Sequence, residues 1–200
     1  MAETTERMKI GVMPSLGEND RGVDAPNGRT PRFSDIRQMA RVAEEVGFDS
    51  YWLADHLLYR MPDTPVSGQW EVFTFLSGVA ATTKRIQLGP LVACTSFRNP
   101  ALLAKMADAL DEISEGRFIL GLGAGWHQPE YDAFGYPFDH KASRFEEALK
   151  IILPLLHEGK VDFTGEYYAA RECEMHPRGP SRSGPPIWIG GAAPAAKERA

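Results

Sequence analysis

Two places in this 200-residue sequence bring together side chains that can do chemistry. Ser50-Tyr-Trp-Leu-Ala-Asp-His56 reads as a strand that ends in an acid and an imidazole, so Asp55 or His56 should stand over the carboxyl edge of a sheet. Such a position suits contact with a ring cofactor or proton exchange with substrate. An imidazole is apt for the latter because its unperturbed pKa, about 6.5, lies near neutrality. In a purely structural role the same pair would be a loop-capping aspartate and a packed histidine. The second place is Phe118 to Leu122, another strand-like run, which passes through Gly121, Gly123 and Gly125 into Trp126 and His127, with Glu130 three residues further on.

Several chemistries are excluded by spacing. A dinucleotide loop needs G-x-G-x-x-G, and Trp126 stands where the last glycine would be. His127 and Glu130 could share a metal, but no H-E-x-x-H signature is present and His140, His157 and His176 are scattered, so no metal is expected. Neither a G-x-S-x-G elbow nor a phosphate-binding P-loop occurs. Gly190-Gly191, after a last strand Pro186 to Ile189, could turn backbone N–H groups toward a phosphate, or could equally serve tight packing.

The elements needed to position these groups follow a regular alternation. Met8 to Pro14 reads as a first strand, and the polar stretch Ser15 to Arg32 as a long loop. Ser34 is expected to cap a helix whose inner face carries Ile36, Met39, Ala40, Ala43 and Val46, stopped by Gly47. After the second strand and a loop over 57–68, a helix is expected from Trp70 to Thr82. Arg85 to Cys94 is a third strand interrupted at Gly89-Pro90, which suggests a bulge. Asn99-Pro100 marks the next helix start, carried to Gly116 by Leu103, Met106, Ala107, Leu110 and Ile113. Beyond the fourth strand, 128–142 reads as loop, and Ser143 with Glu146 forms a capping box for a helix that Pro154 should kink. Val161 to Tyr168 reads as a hairpin outside the main alternation, and a helix is expected from Ala195 onward.

Alternating strands and helices imply parallel strands with helical crossovers. At about 30 residues per pair, a closed eight-pair barrel needs roughly 250 residues or more. The expectation is therefore an α/β fold: a single incomplete TIM-barrel domain over 1–200, the N-terminal five βα units, with an insertion at about 160–186. Composition fits an ordinary globular chain, with 43% hydrophobic residues. A net charge of -5 without a basic stretch points away from nucleic acid and anionic membranes as partners. Two unpaired-looking cysteines, no long apolar run and no signal-like N-terminus point to a cytoplasmic protein.

Taken in order, several segments resemble the bacterial luciferase-like superfamily of flavin- and deazaflavin-dependent oxidoreductases. They are Gly47 to His56, Thr95 to Ala104, Leu110 to Trp126, Phe134-Gly-Tyr-Pro, Arg144 to Leu149, Phe163 to Tyr168 and Pro186 to Gly191. The resemblance implies a (β/α)8 barrel that binds FMN or coenzyme F-420 at the carboxyl ends of its strands. It implies cofactor contacts from Asp55, His56, Leu91, Val92, Gly190 and Gly191, with a non-prolyl cis peptide at Leu91-Val92. His56, Trp126 and Glu130 are the expected catalytic-site residues. One deazaflavin-dependent sugar-phosphate dehydrogenase group carries a catalytic glutamate where this chain has Trp126, so that chemistry and substrate are not carried over. The implied activity is hydride transfer between a small-molecule substrate and the bound ring. Alternatives are an FMN monooxygenase that uses molecular oxygen and a non-catalytic barrel subunit that stabilises a partner. A homodimer is expected for the full-length protein.

Overall fold

A computed structural model describes residues 7–18 and 30–191. Strand β1 (Gly11–Val12) leads to α1 (Phe33–Glu45) and β2 (Ser50–Leu53). The 57–68 segment, expected to be loop, folds into a small antiparallel hairpin of β3 (Leu58–Tyr59) and β4 (Ser67–Gly68). Next come α2 (Val72–Thr82), β5 (Gln87–Pro90), β6 (Ala93–Cys94), α3 (Pro100–Ile113) and β7 (Leu120–Gly123). Helices α4 (Gln128–Phe134) and α5 (Lys141–Glu158), the antiparallel pair β8 (Lys160–Thr164) and β9 (Ala169–Glu174), and β10 (Ile187–Ile189) complete the order. The helix expected from Ala195 lies outside the described residues.

The main strands are parallel and neighbour one another in chain order. β1 pairs with β2, β2 with β5, β6 with β7, and β7 with β10. β5 and β6 are the two halves of the third strand, parted at a cis Leu91–Val92 peptide where the resemblance implied one. A bridge between Leu88 and Phe118 joins the halves of the sheet. Helices cover the outer face. Leu76, Val79, Leu103, Ala107, Ile152 and Leu156 are buried there against Tyr51, Leu53, Leu88, Leu120 and Leu122 of the strands. Each such leucine contributes about 1.5–3 kcal/mol by leaving water. This is part of a (β/α)8 barrel. Among the described residues no helix is long and apolar enough to cross a membrane.

Helix ends show where local chemistry decides. Asn99 caps α3 as expected, its Oδ1 accepting from Ala101 and Leu102 N–H at 2.9 and 3.2 Å. Ser34 does not cap α1. The cap is Arg32, two residues earlier, because the Asp35 carboxylate accepts the Arg32 N–H at 2.8 Å. Ser143 likewise lies inside α5, which starts at Lys141. Arg144 donates to the Asp139 carbonyl and carboxylate, both at 3.0 Å, and so holds the earlier start. Val46, expected on the inner face of α1, lies past its end and is exposed. Pro154 lies within α5, which continues over it to Glu158.

The end of the barrel opposite the carboxyl edge is braced by two side chains. Glu44 accepts the N–H groups of Lys84 and Ile86 at 2.9 Å, and that of Arg85, which ties α1 to the turn before β5. Arg117 donates to the carbonyls of Ala80 and Thr83 at 2.9 and 3.1 Å, which the end of α2 leaves open, and to that of Ile86 before β5 at 3.0 Å.

Candidate functional site

Parallel strands place their carboxyl ends and following turns at one edge, and a cavity of about 540 Å³ opens there. Its lining includes Asp55 and His56 after β2, Leu91 and Val92 between β5 and β6, Trp126 and Glu130 after β7, and Gly190 and Gly191 after β10. Every residue expected at the site from sequence is therefore brought to one cavity. Cys94, Phe97 and the Gly123–Gly125 turn complete it.

The floor depends on missing side chains. A Cβ on Gly123 would fall 2.6 Å from one Val92 methyl, and a Cβ on Gly190 would fall 2.6 Å from the other. Gly125 has φ +74°, and a Cβ there would lie 1.9 Å from the Tyr131 hydroxyl. Glycine is thus required for close approach at the first two positions, and for backbone conformation as well at the third. The outcome is a strip from Leu91–Val92 to Gly123 and Gly190–Gly191 in which the Val92 methyls pack against bare glycine backbone.

Over this strip stands a set of polar groups that are already partnered. Asp55 is buried, with Oδ2 accepting from Cys94 N–H at 2.9 Å and from Arg98 Nη1 at 2.6 Å, and Oδ1 from Arg98 Nη2 at 2.9 Å. The same Nη2 reaches Glu71 Oε1 at 2.6 Å, and the guanidinium lies 4.7 Å from the centre of the Phe73 ring. Burial works against the Arg98 charge, but Asp55 and then Glu71 outweigh it and push its pKa up. Burial would raise Glu71 too, yet its hydrogen bonds to Thr74 and its contact with Arg98 hold the carboxyl below its usual range.

Glu130 is 1% exposed; its Oε1 lies 2.9 Å from His56 Nδ1, and its Oε2 accepts the Leu57 N–H at 2.9 Å. The His56 ring packs against Tyr59, 4.5 Å between centroids, and edge-on to Trp126 at 5.6 Å. Trp126 itself is 53% exposed and forms a wall. His127 is buried and turns Nε2 to the Arg60 N–H at 3.1 Å, so it anchors the β3–β4 hairpin rather than lining the cavity. Tyr131, also buried, donates to the Ala124 carbonyl at 2.8 Å and lies 2.9 Å from Cys94 Sγ. Since the tyrosine proton is committed to Ala124, the thiol is the donor between them. Burial pushes the Cys94 thiol up to about 11.

Arg98, Cys94, Glu71 and Tyr131 were not anticipated from sequence. Arg98 had a weak signal, a cation directly before the Asn99-Pro100 helix start. Helix α4, which supplies Glu130 and Tyr131, forms within the stretch 128–142 expected to be loop; Pro129 and Gly135 punctuate its ends, and Gly135 has φ +76°.

Comparison with known proteins agrees with this geometry. The pyrimidine monooxygenase RutA of Enterobacter sp. (strain 638) is 32% identical over 192 residues, covering 86% of this chain and 49% of that protein. The chain thus spans about half the length of that relative. An F420-dependent secondary alcohol dehydrogenase in complex with an F420-acetone adduct superposes with a TM-score of 0.75 at 24% identity, over 92% of this chain and 52% of the other. A riboflavin lyase (RcaE) with modified FMN gives 0.77 at 17% identity, over 94% and 51%. These two show the shared fold. Residues 8–200 match the luciferase-like monooxygenase family, and the chain belongs to that family.

Proposed function

We propose that this chain forms the ring-binding part of an oxidoreductase that passes hydride between a small organic substrate and bound F-420 or FMN. The observation that carries the reading is the strip at Leu91–Val92, Gly123 and Gly190–Gly191, where one valine side chain packs on two bare glycines, and which lines a cavity of about 540 Å³ together with His56 and Trp126. That volume lies within the roughly 300–1,000 Å³ of small-molecule sites. A flat ring suits such a strip, because Gly123 and Gly190 add no side chain beside the Val92 methyls. Leu91, 41% exposed, and the backbone beside it would support one face, with Gly190 and Gly191 at the edge.

Bound there, such a ring would supply the hydride chemistry, which no protein side chain provides. The protein's own part is threefold. His56 would hold or release the substrate's proton at Nε2. Trp126 would pack the substrate and exclude water. The Arg98–Asp55 pair would fix the backbone at Cys94, just past the cis peptide. The names of the relatives favour both cofactors in turn, and a monooxygenase that spends reduced FMN on molecular oxygen is the second reading, supported by the likeness to RutA.

The test is a spectral titration of the full-length protein with FMN and with F-420. One ring should bind, and oxygen uptake by the reduced complex separates monooxygenase from dehydrogenase. Trp126→Ala should change turnover while ring affinity stays the same; equal loss of both would make the residue a support of the fold. Binding of neither ring would leave the non-catalytic barrel subunit as the reading.

A further inference from the structure

We propose that Glu130 is a positioning residue that holds His56 in its Nδ1–H tautomer, so that the basic nitrogen, Nε2, faces the cavity. Both oxygens of this buried carboxylate are committed. The Leu57 N–H can only donate, so Oε2 accepts there at 2.9 Å. Oε1 lies 2.9 Å from His56 Nδ1, within the range of an N–H to a charged oxygen. A carboxylate that already accepts on one side is served best by a donor on the other, and Nδ1–H is that donor. The proton on Nδ1 leaves the Nε2 lone pair free, and which ring nitrogen carries the proton is set by the bond the other one makes.

His56 has no other hydrogen bond among the described residues, and it lines the cavity. Tyr59 and Trp126 restrain the ring plane from two further sides. His127, the other imidazole beside Trp126, differs in the one respect that matters: its Nε2 lone pair takes the Arg60 N–H. Two histidines thus flank one indole, and only His56 offers a basic nitrogen to substrate. Glu130 borders the cavity, but both of its oxygens are taken, by the Leu57 N–H and by His56 Nδ1. Its effect passes through His56.

The catalytic consequence rests on the function proposed above, but the tautomer can be read without cofactor. Full-length protein labelled with 15N-histidine is examined by long-range 1H–15N NMR at a pH high enough to keep imidazoles neutral, with His56→Gln to assign the signal. The His56 ring should show a protonated Nδ1 and a bare Nε2. In Glu130→Gln the amide oxygen can keep the Leu57 N–H while the NH2 turns to Nδ1, which moves the ring proton to Nε2 and exchanges the two 15N signals. Turnover should then fall by about 10²–10⁴-fold, the usual worth of a positioned acid or base, with ring affinity unchanged. A wild-type His56 carrying its proton on Nε2 overturns the proposal even if Glu130→Gln fails to fold. Signals that do not exchange in a folded Glu130→Gln overturn it too. Ring binding that fails with the tautomer as expected would refute the functional reading alone.

Discussion

Replacing Arg98 by methionine tests whether the mouth of the barrel is held by charge. Methionine keeps an unbranched apolar stem but removes the guanidinium from the Phe73 ring and from Asp55, whose side chain is 1% exposed against 9% for Arg98. Loss of one partner from a pair this deep leaves an uncompensated carboxylate and costs about 3–5 kcal/mol. Glu71, 40% exposed on its side chain, can rehydrate, so its share of the loss should be small. Urea unfolding of the full-length protein should show the deficit as a lower midpoint with an unchanged slope. Asp55→Asn in the same background should recover much of it, because asparagine still accepts the Cys94 N–H yet leaves no orphaned charge. A single-variant cost below about 1 kcal/mol, or a double variant as unstable as the sum of the two, would refute the clamp.

Three other outcomes follow from the same geometry. The folded-state pKa of Glu71 is depressed, so it contributes stability above its ordinary value of 4.5 that is lost as pH falls. The stability gap between wild type and Glu71→Gln should accordingly narrow on acidification, and a gap that widens would contradict the assignment. With its pKa near 11, Cys94 presents roughly one thiolate in a thousand at pH 8, so iodoacetamide should label the more exposed Cys173 first, as read by peptide mass spectrometry. Gly125→Ala should cost at least about 1–3 kcal/mol for its φ of +74° alone, with the collision at Tyr131 added; a midpoint equal to wild type would refute the packing described.

The order of strands and helices was legible because each helix carries a periodic apolar face and each strand a compact apolar run. Asn99-Pro100 was legible as a helix start for the same local reason. Ser34 and Ser143 misled, since their preference for caps was overruled by carboxylates at Asp35 and Asp139 that bond one turn away. The cavity's residues were legible where they end strands, as Asp55, His56 and Trp126 do. What those residues touch was not. Asp55 meets Arg98 across 43 positions and His56 meets Glu130 across 74, distances over which no local pattern speaks. The short helix α4 was missed because seven residues hold too few turns to show a period.

The packing of Val92 into the gaps at Gly123 and Gly190 also constrains how the family's chains can diverge. Both gaps are closed by methyl groups of one side chain, each 2.6 Å from where a Cβ would stand. Alanine at either glycine should therefore be tolerated poorly while valine remains, and readily once Val92 has become alanine. One silent-looking change would open two neighbouring positions on two different strands at once. Gly121 would gain nothing from it, since the Pro90 carbonyl lies 2.3 Å from its absent Cβ. The order in which substitutions arrive at this floor then matters as much as their identity, and Val92 is the position through which new floor shapes become reachable.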